Sequence, residues 1–440
     1  MMRYSLVVSL LLGACAPHMA PAGLHLAGVF AADSTHTVAL ASGVTYTSMH
    51  IPSGPWDVYV VTVAPGAHGV EFHTVKGLDH VVGRERPSSV ARRTAAAERR
   101  PVLAAVNADF FNFEPPGVSE GPQVSAGRVV KSEDTHRAAL TDTVLRGQPS
   151  VGVDADGKVF FTDAHVEGWF RLRSGEPVPV RGVNTSVARG SAVFYNSFIG
   201  ARTPDDSGVL EVIVRTVRAA ALAGDTAVGV VVGVDSALAG VDIPAGDVVI
   251  AERERPAAGA NVSALLQPGD SVWWSLRIRN APARVRELVG GFPMLLRDGV
   301  AVVDRTRDMI PGFSAKRHPR TVVARRADGT VMLVAVDGRR QGSVGMTLDE
   351  LTDFMRALGA SDALNLDGGG STTMVVDGRV VNHPSDKEGE RAVSNVLLLL
   401  GRKGVRPLSA SDPFRCLPLR LRRQKPDREW RQTHTETVRG

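Results

Sequence analysis

"RTVVARRADGTVMLVAVDG", residues 320–338, indicates the kind of structure that this chain builds. Apolar runs lie on both sides of Asp328-Gly329, and an Asp-Gly pair supplies the positive backbone angles of a tight turn, so the stretch predicts a β-hairpin. "TTMVVDGRVV", residues 372–381, repeats this pattern around a second Asp-Gly pair, and "AVSNVLLLLG", residues 392–401, predicts a final strand.

Two segments have helical rather than strand patterns. "SSVARRTAAAERR", residues 88–100, combines Ser caps with alanines and contains no Gly or Pro. "TLDELTDFMRALG", residues 347–359, has Thr347 as a cap, Glu350 at the capping-box position, one apolar face and a final Gly. Both segments therefore predict helices.

The rest of the chain consists mainly of short strand patterns. "WDVYVVTV" (56–63) and "GVEFHTV" (69–75) are separated by a turn, and similar strands recur with turn signals from about residue 150 to 285. Such close spacing favours antiparallel sheets over alternating β-α units. We therefore predict an α+β fold: mixed, largely antiparallel sheets with a few packed helices, in one large domain.

A glycine-rich stretch follows the predicted strand "ALNL". "NLDGGGSTT", residues 365–373, combines Asp367 with three consecutive glycines and a run of hydroxyls. It fits neither the dinucleotide fingerprint nor the P-loop, because a hairpin rather than a helix follows, and it lacks the G-x-S-x-G nucleophile elbow. Glycine amides can bind an anion beside a carboxylate. The alternative is a structural turn in a crowded corner of a sheet.

Polar residues also follow other strands with buried-looking sequences. Asn107 and Asp109 end one strand, Asp337 ends another, and "HPR" at 318–320 opens a third. Each Asp alone is also explained as a turn or cap residue. Their shared position at strand ends suggests that several termini converge on one cleft.

Several motifs, in this order, resemble the phosphodiester glycosidase family. They are "AAVNADFFN", "GGFPMLLRDG", "RHPRTVVARRADGTVMLVAVDGR", "NLDGGGSTTMVVDG", "PSD" and "RAVSNVLLL". The resemblance runs from about residue 55 to 401 and is densest from 290 to 401. It implies a hydrolase that cleaves a sugar 1-phosphodiester at the anomeric carbon and releases free sugar and a phosphomonoester.

The resemblance and the chemistry together assign candidate roles. The predicted catalytic carboxylates are Asp337 and Asp367 near the anomeric carbon and Asp109, where Asn107 and Asp109 either hold the sugar or complete the acid/base set. A guanidinium grips two phosphate oxygens at once, which suits Arg320 and Arg391. The complete set of predicted substrate-binding residues is Asn107, Arg320, Asn365, Gly368, Gly369, Gly370, Ser371, Thr372, Arg391 and Ser394. For Arg391 the alternative is a surface salt bridge, and His318 is interpreted as a structural residue rather than as the base.

Other chemistries stay open as alternatives. The same cleft could bind a phosphodiester-containing polysaccharide without cleaving it, or the protein could cut at phosphorus and release sugar 1-phosphate. Converging aspartates could accept Ca²⁺ or Mg²⁺. However, the sequence has no EF-hand loop, HExxH motif or Cys/His cluster, so we predict no metal site and no required cofactor.

Charge and the termini define the surroundings of this domain. The chain of 440 residues has a formal charge of +5, but residues 401–440 carry a net +7, so the other 400 residues are slightly acidic and nucleic-acid binding by the folded body is not expected. The first residues read as an export signal, and "LLGAC" resembles a bacterial lipobox in which Cys15 would be lipidated. Ordinary signal cleavage near "APHMAPA" is the alternative.

These patterns predict four regions. They are a signal or lipobox region (1–22), an N-terminal β-rich segment (23–95), a catalytic domain (96–401) and a basic, disordered tail (402–440). We expect an exported or cell-envelope protein whose only membrane contact is an N-terminal lipid, acting on envelope or exopolysaccharide glycans. The oligomeric state is not predicted.

Overall fold

The computed structural model describes Leu24 and residues 26–403, except for the internal gaps at 115–116, 134–146, 173–174, 189, 207, 236–239, 254–265 and 304–311. The predicted signal region, the lipidation site at Cys15 and nearly all of the predicted tail lie outside the described residues. Where described, the chain contains twenty-four strands and two α-helices. The predicted α+β class is therefore wrong, and the protein is mostly β.

The first sheet combines N-terminal and C-terminal strands. Its eight strands run in the order β1-β2-β3-β20-β19-β21-β17-β18. Their bounds are β1 (Ser34–Ala41), β2 (Val44–Ile51), β3 (Trp56–Val63), β17 (Met294–Arg297), β18 (Val300–Ala301), β19 (Arg320–Arg326), β20 (Val331–Val336) and β21 (Ala360–Asn365). Because β3 pairs with β20 along six residues, the predicted N-terminal segment shares a sheet with the C-terminal third.

The second sheet has five antiparallel strands in the order β23-β22-β5-β24-β4. Their bounds are β4 (Val70–Lys76), β5 (Val102–Asn107), β22 (Met374–Val376), β23 (Arg379–Val380) and β24 (Asn395–Gly401). The glycine-rich segment 366–373 therefore carries the chain from β21 in the first sheet to β22 in the second.

The third sheet has eleven strands and closes on itself at one end. Its bounds are β6 (Gln123–Ser125), β7 (Arg128–Lys131), β8 (Gln148–Asp154), β9 (Val159–Leu172), β10 (Val178–Val183), β11 (Ala192–Asn196), β12 (Val209–Arg218), β13 (Thr226–Asp235), β14 (Val248–Arg253), β15 (Ser271–Arg279) and β16 (Val285–Gly290). The strands β10-β11-β14-β12-β13-β15-β9 form a ring, because β9 also pairs with β10. The result is a seven-stranded barrel filled by apolar side chains, including Phe170, Phe194 and Trp274.

Both helices pack on sheets and leave the strand architecture dominant. α1 (Pro87–Glu98) buries Val90 and Ala91 against the second sheet. α2 (Leu348–Ala357) buries Leu351 and Phe354 against the first. The predicted capping box at its start is confirmed, because the Thr347 hydroxyl accepts from the Glu350 amide and the Glu350 carboxylate accepts from the Thr347 amide.

Both predicted hairpins are confirmed. β19 and β20 pair from Arg320 opposite Val336 to Arg325 opposite Val331, and β22 pairs with β23. In antiparallel pairing the start of one strand lies beside the end of its neighbour. The start of β19 consequently lies next to the ends of β20 and β21, and this arrangement places the candidate site.

Candidate active site

A cleft with a volume of about 490 Å³ lies where the glycine-rich segment passes between the first two sheets. Its walls combine aromatic, charged and glycine residues. The lining residues are Phe110, Phe111, Asn112, Phe113, Glu120, Phe313, His318, Arg339, Asp367, Gly368, Gly369, Gly370 and Arg391. Among the predicted site residues, this set contains Asp367, the three glycines and Arg391.

Asp367 is one of the two acidic residues that line the cleft, and its backbone is fixed on both sides. Its amide donates to the Ala108 carbonyl at 2.8 Å, and its carbonyl accepts from Asn107 Nδ2 at 2.5 Å, so the end of β5 holds it in place. Burial raises the pKa of Asp367 to about 6, although the Ser371 hydroxyl and the charge of Arg391 lower it. A carboxylate with this pKa is mostly ionised at neutral pH and can still accept a proton there.

Two guanidinium groups supply positive charge to the same cleft. Arg391 binds both oxygens of Asp386 at 2.7 and 2.9 Å, and its Nη1 lies 3.4 Å from the Ser371 hydroxyl. Exposed Arg339 donates from Nη1 to the Ser385 hydroxyl and makes no ion pair within the described part of the chain. Arg339 therefore offers the less neutralised charge to an anion.

The glycines act in the cleft through their lack of side chains. A Cβ at Gly370 would collide with Arg391 Nη2 and Asp386 Oδ1, and one at Gly369 would lie 2.8 Å from Arg339 Nη2. Gly369 also has a φ of 61°, in the left-handed region. Its amide already donates to the Pro319 carbonyl at 2.9 Å. The segment thus lets the two arginines approach the floor of the cleft.

Asp109 lies behind this floor in a closed environment. Its side chain is 1% exposed, Oδ2 accepts from the Gly121 amide at 2.7 Å, and Oδ1 is buried without a hydrogen-bond partner among the described residues. Burial raises the pKa of Asp109 to about 7. The Gly121 amide and the charge of Lys131 lower it, and the charge of Asp367 raises it. Asp109 and Asp367 are therefore electrostatically coupled carboxyl groups in different environments.

Glu120 enters the cleft on a loop that two buried lysines hold. Lys131 is 2% exposed and donates to the carbonyls of Ser119 and Gly121, at 2.8 and 3.2 Å. Lys76 is 1% exposed and donates to the Gly117 carbonyl at 2.5 Å. Carbonyls on both sides of Glu120 are therefore anchored by ammonium groups that are out of contact with water.

Asp337 does not line the cleft. It is fully buried at the end of β20, where it accepts from the Tyr59 hydroxyl at 3.1 Å, the Asn382 amide group at 3.2 Å and the His383 backbone amide at 3.0 Å. Its charge contributes, after burial, to raising the pKa of Tyr59 above its usual range. These contacts fit a residue that fixes neighbouring segments, and the catalytic role predicted for Asp337 stays a prediction.

Arg320 also lies behind the wall rather than in it. The side chain is 0% exposed and donates to the carbonyls of Met346, Phe313 and Lys316 at 2.8 to 3.0 Å. Its guanidinium lies 4.7 Å from the centre of the Phe313 ring. In this position Arg320 supports the aromatic wall, and phosphate binding by it stays a prediction.

His318 stacks on the Phe313 ring, at 6.1 Å between ring centres. Burial, followed by the charges of Arg320 and Arg339, lowers the pKa of His318 to about 4, and Arg339 Nη2 donates toward its Nδ1 at 3.3 Å. The imidazole is therefore neutral at physiological pH, and the structural interpretation of His318 stays a prediction.

The other predicted binding residues are buried and hydrogen-bonded within the protein. Asn107 Oδ1 accepts from the Thr321 hydroxyl, and Thr321 also contacts Thr372. Asn365 Nδ2 donates to the carbonyls of Phe292 and Leu366. Ser371 contacts Asp367, whereas the Ser394 hydroxyl donates to Gly117 O and accepts from Lys76. Of this group, Ser371 has the most direct connection to the cleft.

Sequence reasoning missed two charged residues of the cleft. Arg339 follows Asp337-Gly338 directly, so the motif that drew attention to Asp337 also contained it. Glu120 stands in "PPGVSEGP", a loop between β5 and β6 whose composition gives no sign of a fixed position.

Across the described residues, no group of three or more His, Cys, Asp or Glu is arranged to hold a metal ion. No helix in the same residues is long and apolar enough to cross a membrane.

The C-terminal half of the chain is similar to a known protein family. Residues 219–400 match the family model described as phosphodiester glycosidase. This match includes Arg339, Asp367 and Arg391. The mouse N-acetylglucosamine-1-phosphodiester alpha-N-acetylglucosaminidase is 39% identical over 110 residues, which are 23% of this chain and 21% of the mouse protein.

Solved structures from bacteria share the fold over more of the chain. A hypothetical protein from Synechocystis has a TM-score of 0.64 at 20% identity and covers 84% of this chain and 64% of its own. A protein from Burkholderia pseudomallei K96243, described as exported, has a TM-score of 0.59 at 25% identity and covers 79% and 74%. The chain spans only about a fifth or less of the length of the curated relatives that it matches.

Proposed function

We propose that this protein hydrolyses a sugar 1-phosphodiester at the anomeric carbon. The observation that carries the proposal is that one cleft contains the ionisable carboxyl group of Asp367 together with the guanidinium groups of Arg339 and Arg391. A glycosyl phosphodiester needs positive charge around its phosphate and negative charge beside its anomeric carbon.

In the proposed reaction, the bond between the anomeric carbon and the phosphate oxygen breaks. Water supplies the oxygen that replaces it, so the products are free sugar and a phosphomonoester. Arg339 and Arg391 hold the phosphate and neutralise the charge that gathers on it as it leaves. A phosphodiester oxygen leaves more readily than an alkoxide, so charge neutralisation contributes more here than protonation of the leaving group.

Asp367 faces the anomeric carbon in this proposal. Its pKa of about 6 leaves most of the group ionised at pH 7, and the carboxylate stabilises the positive charge that develops on the sugar. Glu120 is the second carboxyl group in the cleft, and we assign to it the activation of the attacking water. Asp109 acts from behind the floor by positioning the Gly121 amide next to Glu120.

The proposal also includes the biological setting. The apolar N-terminal run, with Cys15 as its lipidation site, supports export to the cell envelope, and the Burkholderia structure of similar fold is described as exported. In that setting, the substrates are phosphodiester-linked sugars of envelope or exopolysaccharide glycans.

The test is turnover of a simple diester, such as the methyl phosphodiester of N-acetylglucosamine 1-phosphate, followed by release of reducing sugar. Asp367→Asn is expected to lower kcat by about 10³-fold. Asp353→Asn is the matched control, because Asp353 lies on α2 with its side chain 65% exposed, and it is expected to keep full activity. Binding without any release by the wild-type protein would instead favour a polysaccharide-binding protein.

A further inference from the structure

His318 contacts both an aromatic and a charged residue of the cleft wall. It lines the cleft together with Phe313 and Arg339. Its ring stacks on the Phe313 ring with 21° between the ring planes, and its backbone exchanges hydrogen bonds with Met346 in both directions, at 3.2 and 3.0 Å. The imidazole is therefore held at the cleft by its backbone and by one face of its ring.

The contact with Arg339 determines which ring nitrogen of His318 carries the proton. Arg339 Nη2 lies 3.3 Å from His318 Nδ1. A guanidinium group has only N–H donors, so Nδ1 must present a lone pair to form this hydrogen bond, and a protonated imidazole has none to present. The ring is then neutral with its proton on Nε2. The lowered pKa of His318, caused by burial and then by the charges of Arg320 and Arg339, agrees with this state.

This tautomer limits what His318 can do in the reaction. The lone pair of Nδ1 is bound to Arg339, so neither ring nitrogen is free to accept a proton from water. Nε2–H is instead a hydrogen-bond donor, and a donor that stays neutral can stabilise a developing negative charge without losing its proton. Because His318 and Arg339 are in contact at one wall of the cleft, an anion that Arg339 binds lies close to His318 as well.

We propose that His318 binds the substrate phosphate by donating from Nε2 to one of its non-bridging oxygens. The inference rests on the proposed function and adds a donor to the two arginines that hold the phosphate there. A hydrogen bond to this oxygen strengthens as negative charge gathers on the leaving phosphate, so it contributes to kcat as well as to binding. Nε2 keeps its hydrogen while the bond between the anomeric carbon and the phosphate oxygen breaks.

Two substitutions separate this role from a purely structural one. His318→Phe keeps an aromatic ring against Phe313 and removes the donor, whereas His318→Gln removes the ring and places an amide N–H near the position of Nε2. For a methyl sugar 1-phosphodiester, His318→Phe should lower kcat/KM by at least about tenfold and His318→Gln by about threefold or less. The opposite order of the two variants would show that the ring matters and the donor does not, and would overturn the proposal.

A matched control is a histidine outside the cleft. His36 is exposed on β1 and does not line the cleft, so His36→Phe should keep the kcat/KM of the wild type.

Titration calorimetry tests phosphate binding without turnover. Methyl phosphate is expected to bind about tenfold more weakly to His318→Phe than to the wild type, whereas the affinity for N-acetylglucosamine should not change. Equal affinities of the two proteins for methyl phosphate would overturn the proposal. Weaker binding of N-acetylglucosamine alone would assign the donor to the sugar and would overturn it as well.

Nitrogen NMR of the imidazole rings tests the tautomer directly. At pH 7 the signals of His318, assigned by their loss in His318→Gln, should show a protonated Nε2 and an unprotonated Nδ1. A proton on Nδ1 would overturn the proposal. The expected tautomer and the expected loss of methyl phosphate binding, without release of sugar by the wild type, would support the phosphate donor and refute the proposed hydrolysis.

Discussion

Replacing Asp367 with asparagine is expected to stabilise the folded protein while it removes activity. Burial raises the pKa of Asp367 from 3.8 to about 6. A carboxyl group with a raised pKa holds its proton more tightly in the folded state than in the unfolded state. The folded state is therefore penalised as the pH rises from the unfolded pKa through the folded pKa.

The size of the effect follows from the pKa difference. Each pKa unit corresponds to 1.36 kcal/mol, so a shift of this size costs about 3 kcal/mol of unfolding free energy once both states are ionised, near pH 7.5. At pH 5 most Asp367 carboxyl groups are still protonated in the folded state, so the cost in unfolding free energy is only about 1.5 kcal/mol. Asparagine has the same shape and no charge, so Asp367→Asn avoids this penalty.

Urea unfolding at pH 5 and pH 7.5 measures the difference. Asp367→Asn should exceed the wild type in unfolding free energy at both values, with the larger gain at pH 7.5. The exposed control Asp353→Asn should follow the wild type at both. A variant that is less stable than the wild type, or whose gain does not grow with pH, would refute the assignment of a buried carboxyl group with a raised pKa to this position.

Four further outcomes follow from the geometry of the cleft. In the wild type, kcat/KM should fall as the pH drops below about 6, because Asp367 becomes protonated. Arg391→Gln should raise KM by about 10²-fold. Since the charge of Arg391 lowers the pKa of Asp367, the same variant should also lose kcat/KM at a higher pH than the wild type. A fall of kcat/KM at the same pH as in the wild type would argue against this coupling. Gly370→Ala should force the Arg391–Asp386 pair apart and lower kcat/KM by at least about tenfold. Gly342→Ala is the neutral control, because a Cβ at Gly342 would meet no atom closer than 4.0 Å. Lys131→Met should leave two buried carbonyls without their donor and lower the unfolding free energy by about 2 kcal/mol. It should also reduce kcat, because these carbonyls hold the Glu120 loop. An unchanged kcat would show that the loop needs no such anchor.

Local sequence patterns were sufficient for the hairpins and for the start of α2. The Ser caps predicted for α1 were wrong, because α1 begins at Pro87 and Arg86 at its N-cap makes no side-chain cap hydrogen bond. Asp328-Gly329 specifies its own turn, and Thr347 with Glu350 specifies the start of α2, because each pattern acts within four residues. The barrel depends instead on the pairing of β9 with β10 and on the order of the strands between them. Closure is a long-range property of these strands, so the short segments gave no signal that separated a mostly β protein from an α+β one.

In the candidate site, too, residues that are close in sequence could be predicted, whereas the positions set by packing between distant segments could not. Asp367 and its three glycines are close in sequence, and the cleft keeps them together. Asp337 and Arg320 also stand at strand ends, but burial and internal hydrogen bonds turn both toward the protein interior. Residue type and position at a strand end identify candidates. Which face of the wall a side chain occupies is decided by packing between the sheets.

The central claim is that the protein breaks the bond at the anomeric carbon, and hydrolysis in ¹⁸O-labelled water tests it most directly. Mass spectrometry of the products from a methyl sugar 1-phosphodiester should find the label in the hydroxyl group of the free sugar and none in methyl phosphate. Label in a phosphate group, or sugar 1-phosphate as the product, would contradict the claim and place the reaction at phosphorus.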